Sequence, residues 1–93
     1  MTLPIYQRSK DAIFSNIGDD VVALNVRHGT CYGMENAAAE VWNLLTEPSN
    51  AEQICNRLIE RFDVEPDVCR SDVSTLLQQL QSEGLIEQTG AAT

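Results

Sequence analysis

The stretch VVALNVRHGTCYGMENAAAEVWNLL, residues 21–45, decides the fold because its hydrophobic period changes once along its length. Residues 21–26 are rich in β-branched side chains, which is typical of a strand. Arg27-His28-Gly29 then predicts a hairpin loop, and Thr30–Met34 predicts the returning strand. By the two-residue period, Tyr32 and Met34 share one face of that strand, with Cys31 and Gly33 on the other. From Asn36, which suits an N-cap, the period becomes helical, with apolar residues at Ala38, Val41, Trp42 and Leu45.

Upstream of this stretch the sequence predicts one more strand and a loose arm. Ala12–Ile17 supplies a short apolar segment, and Gly18-Asp19-Asp20 has the chemistry of a tight turn. The three predicted strands therefore form an antiparallel meander. Residues 1–11 contain Pro4 and show no clear period, so we expect them to be a loosely ordered arm.

Downstream the sequence predicts two more helices. Glu47-Pro48 ends the first helix, and Ser49 with Glu52 has the form of a capping box for a second helix that runs to about Arg61. Its apolar stripe comprises Ile54, Cys55, Leu58, Ile59 and Phe62.

Pro66 suits the first turn of the third helix, and Gly84 suits its end, with Leu85 as the hydrophobic contact. The stripe of that helix comprises Cys69, Val73, Leu76, Leu77 and Leu80. Residues 85–87 can pair as a brief final strand, and residues 89–93 are expected to fray. The 93 residues thus predict one α+β domain, a winged helix-turn-helix with a three-stranded antiparallel sheet followed by three α-helices.

The net charge of −8 lies entirely beyond Met34, where eleven acids face three arginines. Binding to nucleic acid is therefore disfavoured, since phosphate contacts depend on Lys and Arg. No apolar run approaches the roughly 18 residues of a membrane span, and residues 1–10 show no signal peptide, so we expect a cytoplasmic protein with no membrane partner.

Cys31, Cys55 and Cys69 are odd in number and widely spaced, and His28 is the one histidine. We interpret the cysteines as buried or half-buried structural thiols, and we expect neither a metal site nor a cofactor. The chain has no Gly-rich phosphate loop and no evident pair of nucleophile and base, so we expect no catalytic residues and no enzymatic activity.

Residues 21–87 resemble the PqqD-like family, whose members recognise the leader segments of ribosomally synthesised, modified peptides. The resemblance runs in order through residues 21–26, Gly29, 32–34, 40–45, 52–54, 61–64, 72–73, 76–77, Leu80 and 84–86. The Tyr-Gly before the first helix and the Val-Trp within it are most similar to the stand-alone recognition proteins of lasso-peptide clusters. Arg27-His28-Gly29 replaces the Pro-Glu-Gly that is typical of PqqD in quinone-cofactor synthesis. Cys31, Glu35 and Ala38 depart from the aromatic, Asn and Gly that are frequent at those positions.

The resemblance implies a non-catalytic protein that binds a leader peptide as an extra strand and delivers it to a processing enzyme, expected to be a cysteine protease. The implied leader-binding residues are Thr30, Cys31, Tyr32, Gly33, Met34, Cys69, Asp72, Val73 and Leu76. An edge strand can accept such a peptide because its backbone groups are unpaired. Specificity would then come from pockets built by Cys31, Gly33, Cys69, Asp72, Val73 and Leu76.

Several alternatives stay open at this point. Gly33 either admits a close backbone or forms a bulge, and Asp72 either anchors a polar or basic leader residue or is simply solvated. For the whole protein, the alternatives are a PqqD-type chaperone of quinone-cofactor biosynthesis, a DNA-binding winged-helix regulator and an assembly adaptor without peptide recognition.

Overall fold

The computed structural model describes residues 4–91, which form two small antiparallel sheets and three helices. In chain order the elements are β1 (Pro4–Arg8), β2 (Ala12–Ile17), β3 (Asp20–Asn25), β4 (Thr30–Met34), α1 (Ala37–Leu44), β5 (Ser49–Asn50), α2 (Ala51–Arg61), α3 (Pro66–Ser82) and β6 (Ile86–Ala91). The predicted α+β class, with a three-stranded antiparallel sheet followed by three helices, is confirmed.

The first sheet has the order β2-β3-β4, as the sequence predicts. Its register pairs Ile13 with Leu24 and Val22 with Gly33. The face of β3 that carries Val21 and Ala23 is fully buried, whereas Val22 and Leu24 are only half-buried. One face of this sheet therefore forms part of the core.

The second sheet, with the order β5-β1-β6, was not predicted. The expectation of a loose arm is wrong for residues 4–8, because β1 pairs with β6 and also with β5. The expectation of a frayed tail is likewise wrong for residues 89–91, which belong to β6. Residues 1–3 and 92–93 lie outside the described residues. A local hydrophobic period cannot reveal β1, because its main partner lies near the other end of the chain.

Arg8 joins this second sheet to the core. Its Nε and Nη2 atoms donate hydrogen bonds of 3.2 and 2.8 Å to the carbonyl oxygen of Trp42. Its guanidinium carbon also lies 4.4 Å from the ring centroid of Phe14 and 4.9 Å from that of Trp42. The two rings contact edge to face, with centroids 5.6 Å apart. The N-terminal strand is thus held by a specific polar and cation–π contact.

The helix ends match the sequence closely, with one correction. Pro66 opens α3, and Gly84 follows its end with a φ of 75°. The predicted capping box of Ser49 and Glu52 is wrong by one residue. Instead, the Asn50 side chain accepts a hydrogen bond from the Gln53 amide, and the Gln53 side chain accepts one from the Asn50 amide.

The three helices and the buried face of the first sheet contribute to one hydrophobic core. Trp42, Leu45, Leu77, Leu80 and Leu85 are at most 1% exposed and form its centre. Within residues 4–91, no helix is both long and apolar enough to cross a bilayer.

Candidate functional site

Within residues 4–91 both edges of the first sheet are open, and β4 forms the edge that the sequence indicates as the docking strand. β4 pairs with β3 on one side, and no strand among residues 4–91 pairs with its other side. As predicted, Tyr32 and Met34 share one face of β4 and Cys31 and Gly33 share the other. The first pair faces inward, and the second pair faces outward and is exposed. The open side of β4 therefore presents backbone donors and acceptors to an incoming strand.

Gly33 lies on this edge within a regular stretch of strand pairing. The register from Val21–Met34 to Asn25–Thr30 runs through it without interruption, which excludes a bulge. A Cβ atom at Gly33 would meet no heavy atom within 4 Å, and its φ is not in the left-handed region. The packing of the described residues therefore does not require a glycine here.

The start of β4 is tied to the end of α3. The Thr30 hydroxyl donates to the carbonyl oxygen of Glu83 at 3.3 Å. The buried side chain of Asn25 donates to the carbonyl oxygen of Gly84 at 2.7 Å and accepts from the Arg27 and His28 amides at 2.9 Å each. Any Cβ at residue 84 would collide with that Asn25 side chain. These contacts fix the turn between β3 and β4 against the end of the helix.

At the other end of β4 the chain leads directly into an apolar groove. Asn36 occupies the N-cap position of α1, but its side chain makes no capping hydrogen bond, and its φ of 54° redirects the chain. The groove has a volume of about 340 Å³, near the lower end of the roughly 300–1,000 Å³ typical of ligand clefts. It is lined by Asn36, Ala37, Ala38, Val41, Leu58, Phe62, Val64, Cys69, Asp72, Val73 and Leu76.

The structure brings together four of the nine site residues that the sequence suggested, since Cys69, Asp72, Val73 and Leu76 all line this groove. Thr30–Met34 form the neighbouring open edge instead. Cys31 and Gly33 lie on the outer face of the sheet and do not line this groove, so their part in leader binding stays a prediction.

Sequence reasoning missed several residues that line the groove. The sequence places Phe62 only in the apolar stripe of the second helix and indicates no role for Val64, yet both are half-buried in the groove wall. Val64 did carry a usable signal, because it is an apolar residue between Asp63 and Glu65 in an otherwise acidic connection.

The cysteines differ in environment. Cys55 and Cys69 are at most 4% exposed, and the Cys69 thiol lies 3.9 Å from the carbonyl oxygen of Cys55. Burial, together with the neighbouring Cys69, raises the pKa of Cys55 to about 11. Its thiol is therefore protonated at neutral pH and is a poor nucleophile. Cys31 is exposed, so the prediction of a buried or half-buried thiol is wrong for this residue.

The described part of the chain offers little support for metal binding or for DNA binding. Residues 4–91 contain no group of three or more His, Cys, Asp or Glu side chains placed to hold a metal ion. Arg70 is the one base of α3, and it pairs with Asp67 at 3.0 Å. The helix that would enter the major groove in a DNA-binding winged helix therefore presents little positive charge.

Comparison with known proteins identifies one matching family. The family described as "Coenzyme PQQ synthesis protein D (PqqD)" matches residues 20–86, well over half of the chain. No curated protein matches.

Two solved structures share the fold. The chain resembles "TbiB1 in Complex with the TbiA(beta) Leader Peptide" with a TM-score of 0.84 and 25% identity, covering 90% of this chain and 98% of that one. It also resembles "Lasso peptide synthetase B1 complexed with the leader peptide" with a TM-score of 0.78 and 17% identity, covering 88% and 96% of the two chains. The first sheet, the three helices and the match over residues 20–86 together show that this chain belongs to the PqqD family.

Proposed function

We propose that this protein binds the leader segment of a ribosomally synthesised precursor peptide of the lasso type, as a strand added to β4. The observation that carries the proposal is the open edge of β4 beside an apolar groove on α3. Two structures of the same fold, TbiB1 and a lasso peptide synthetase B1, were solved with leader peptides bound, which supports this assignment.

In the proposed complex the backbone and the side chains of the peptide contact different parts of the protein. The peptide backbone pairs with Thr30–Met34 and satisfies the open donors and acceptors of that edge. Peptide side chains on the inner face enter the groove beside Cys69, Val73 and Leu76. Those on the outer face pass Cys31 and Gly33, and the missing side chain of Gly33 leaves room for them.

We propose that the protein acts through binding alone and delivers its peptide to a processing enzyme, a cysteine protease. The groove offers mainly apolar contacts, which bind side chains without activating a water molecule or a nucleophile. The three free thiols fit a reducing compartment, and we therefore place the protein in the cytoplasm.

A second candidate is a PqqD-type chaperone of quinone-cofactor biosynthesis, which the description of the matched family favours. It would use the same edge and groove for a different peptide. The Arg27-His28-Gly29 turn and the two structural neighbours favour the lasso-type assignment.

A backbone scan of the ligand tests strand addition without altering the protein. Synthetic leader peptides, with the TbiA(beta) leader among them, are N-methylated at one amide at a time and titrated by calorimetry. Because amides of a strand point alternately to opposite sides, binding should fall at every second position and persist at the others. A flat response along the peptide would contradict pairing with β4.

A charge placed in the groove tests the side-chain half of the proposal. Leu76 is half-buried in the groove wall, so Leu76→Glu should weaken binding by about 2 kcal/mol. Gln78→Glu, which adds the same charge to the exposed opposite side of α3, is the matched control and should bind normally. Val73 is less suitable for this test, because it is 2% exposed and its replacement would also disturb the core.

A further inference from the structure

The groove face of α3 combines three apolar side chains with one carboxylate. Cys69, Asp72, Val73 and Leu76 follow the i, i+3, i+4 and i+7 spacing of a single helix face. Cys69 and Val73 are buried and Leu76 is half-buried, whereas Asp72 is exposed. Asp72 is also the one carboxylate among the described residues that line the groove. It therefore lies at the rim of an apolar surface, and its position is not that of an ordinary solvated helix residue.

No cation in the described structure neutralises Asp72. Arg70, two positions earlier, lies 3.0 Å from Asp67, and Arg61, next to the groove residue Phe62, lies 3.4 Å from Glu40. The ion pairs found within residues 4–91 do not include Asp72. Asp63 and Glu65, which flank the groove residue Val64, are exposed and form none of these pairs either. The groove rim thus carries uncompensated negative charge.

We propose that this groove selects peptides in which a lysine or arginine stands two residues from the apolar side chain that fills the groove, with its cation bound by Asp72. The inference rests on the proposed strand addition, because residues i and i+2 of an added strand face the same side. They lie roughly 7 Å apart, a separation that a long basic side chain covers readily when it reaches from the groove to its rim. The apolar body of such a side chain contacts the groove wall while its charge stays at the wet rim.

The overall charge of the protein also favours the binding of basic peptides. The net charge of −8 attracts cationic segments over several ångströms and repels acidic ones, which raises the association rate of the selected peptides. The ion pair with Asp72 then determines in which register the peptide pairs with β4. Both effects weaken at high ionic strength, because a rim charge is screened by salt.

A display selection followed by direct binding measurements tests the proposal. A random 12-residue peptide library is selected on the wild-type protein and, separately, on Asp72→Asn and Asp72→Lys. The wild-type pool should be enriched in Lys or Arg two positions from an aliphatic or aromatic residue. The Asp72→Asn pool should lose that enrichment, and the Asp72→Lys pool should favour Asp or Glu at the same position.

One selected peptide and its Lys→Gln counterpart are then synthesised and titrated by fluorescence anisotropy. Asp72→Asn should weaken binding of the lysine peptide by roughly 2- to 5-fold, the upper part of the range for an exposed ion pair, and leave binding of the glutamine peptide unchanged. Asp67→Asn makes the same change on the opposite side of α3, where the side chain is 95% exposed, and should bind both peptides as the wild type does.

The outcomes separate this inference from the function on which it rests. If the wild-type protein selects no peptide, the proposed function fails and the inference fails with it. If it selects peptides whose binding depends on Leu76 but not on the charge at position 72, peptide binding in the groove stands and the role of Asp72 is wrong. Thermal melts of Asp72→Asn and Asp72→Lys confirm that each variant is folded before it is used.

Discussion

At the scale of single residues, Trp42 links the first sheet, α1 and the N-terminal strand. Its side chain is fully buried and contacts Phe14, and its carbonyl oxygen accepts both hydrogen bonds from Arg8. Replacing Trp42 by alanine should lower the free energy of unfolding by about 3–5 kcal/mol, because the cavity cannot close fully. Urea denaturation measures this loss. The control is Val68→Ala, since Val68 is 51% exposed on α3. A Trp42→Ala melting temperature within a degree or two of wild type would show that the side chain is not part of the core.

Cys55 makes the stability depend on pH in the alkaline range. Burial raises its pKa in the folded protein to about 11 from an ordinary value near 9.0. Between these two values the unfolded chain loses the thiol proton and the folded protein keeps it, so the free energy of unfolding falls as pH rises from about 9 to 11. Below pH 9 this contribution is constant.

The expected loss is on the order of 2 kcal/mol, and the variant Cys55→Ala should lack it. Urea titrations of both proteins at several pH values from 8 to 11 give the difference in slope. Other groups titrate in this range too, and the comparison of the two proteins removes their contribution. Parallel slopes for wild type and variant would mean that Cys55 ionises normally.

At the scale of secondary-structure elements, β1 depends on Arg8. Arg8→Ala removes two hydrogen bonds to the Trp42 carbonyl and the contacts with two aromatic rings, and should cost about 2–3 kcal/mol. Within the described residues β6 pairs with β1 alone, so amides of both strands should lose protection from hydrogen exchange together. Lys10→Ala removes the same charge at an exposed position and serves as control. Unchanged protection in β6 would contradict this coupling.

The elements also show what the sequence could and could not predict. β2, β3, β4 and the three helices follow from local periodicity and turn chemistry, because neighbouring residues determine both. The capping box shifted by one position because Ser49 and Asn50 both suit an N-cap. Both residues belong to β5, where Ser49 pairs with Tyr6 and Asn50 pairs with Ile5, and it is the Asn50 side chain that caps α2. That pairing joins segments far apart in sequence and has no local signal.

In the candidate site, too, the sequence predicts some features and not others. The helical spacing of Cys69, Val73 and Leu76 places them on one face of α3, and the structure puts all three in the groove. The family resemblance indicated Cys31 and Gly33 as well, but the two-residue period of β4 turns both away from that groove. Which face of a strand meets which helix depends on packing across the whole domain, and the strand sequence alone does not determine it.

At the scale of the whole molecule, the charge distribution argues against nucleic acid. The net charge of −8 and the engagement of Arg70 with Asp67 leave α3 without a basic surface. We expect no binding to duplex DNA at physiological salt, as measured by fluorescence anisotropy with a labelled 20-base-pair duplex, because affinity for phosphates depends on Lys and Arg contacts. Sub-micromolar, salt-sensitive binding to any duplex would overturn this expectation.

The attachment of β4 at both ends has a thermodynamic consequence. Hydrogen bonds from Thr30 and Asn25 hold its start against the end of α3, and Met34 is buried at its other end. A strand held in this way loses little conformational freedom when a partner pairs with it, so the entropy lost on association belongs almost entirely to the incoming peptide. Residues that favour extended conformations in the free peptide would then strengthen the complex without adding a single contact.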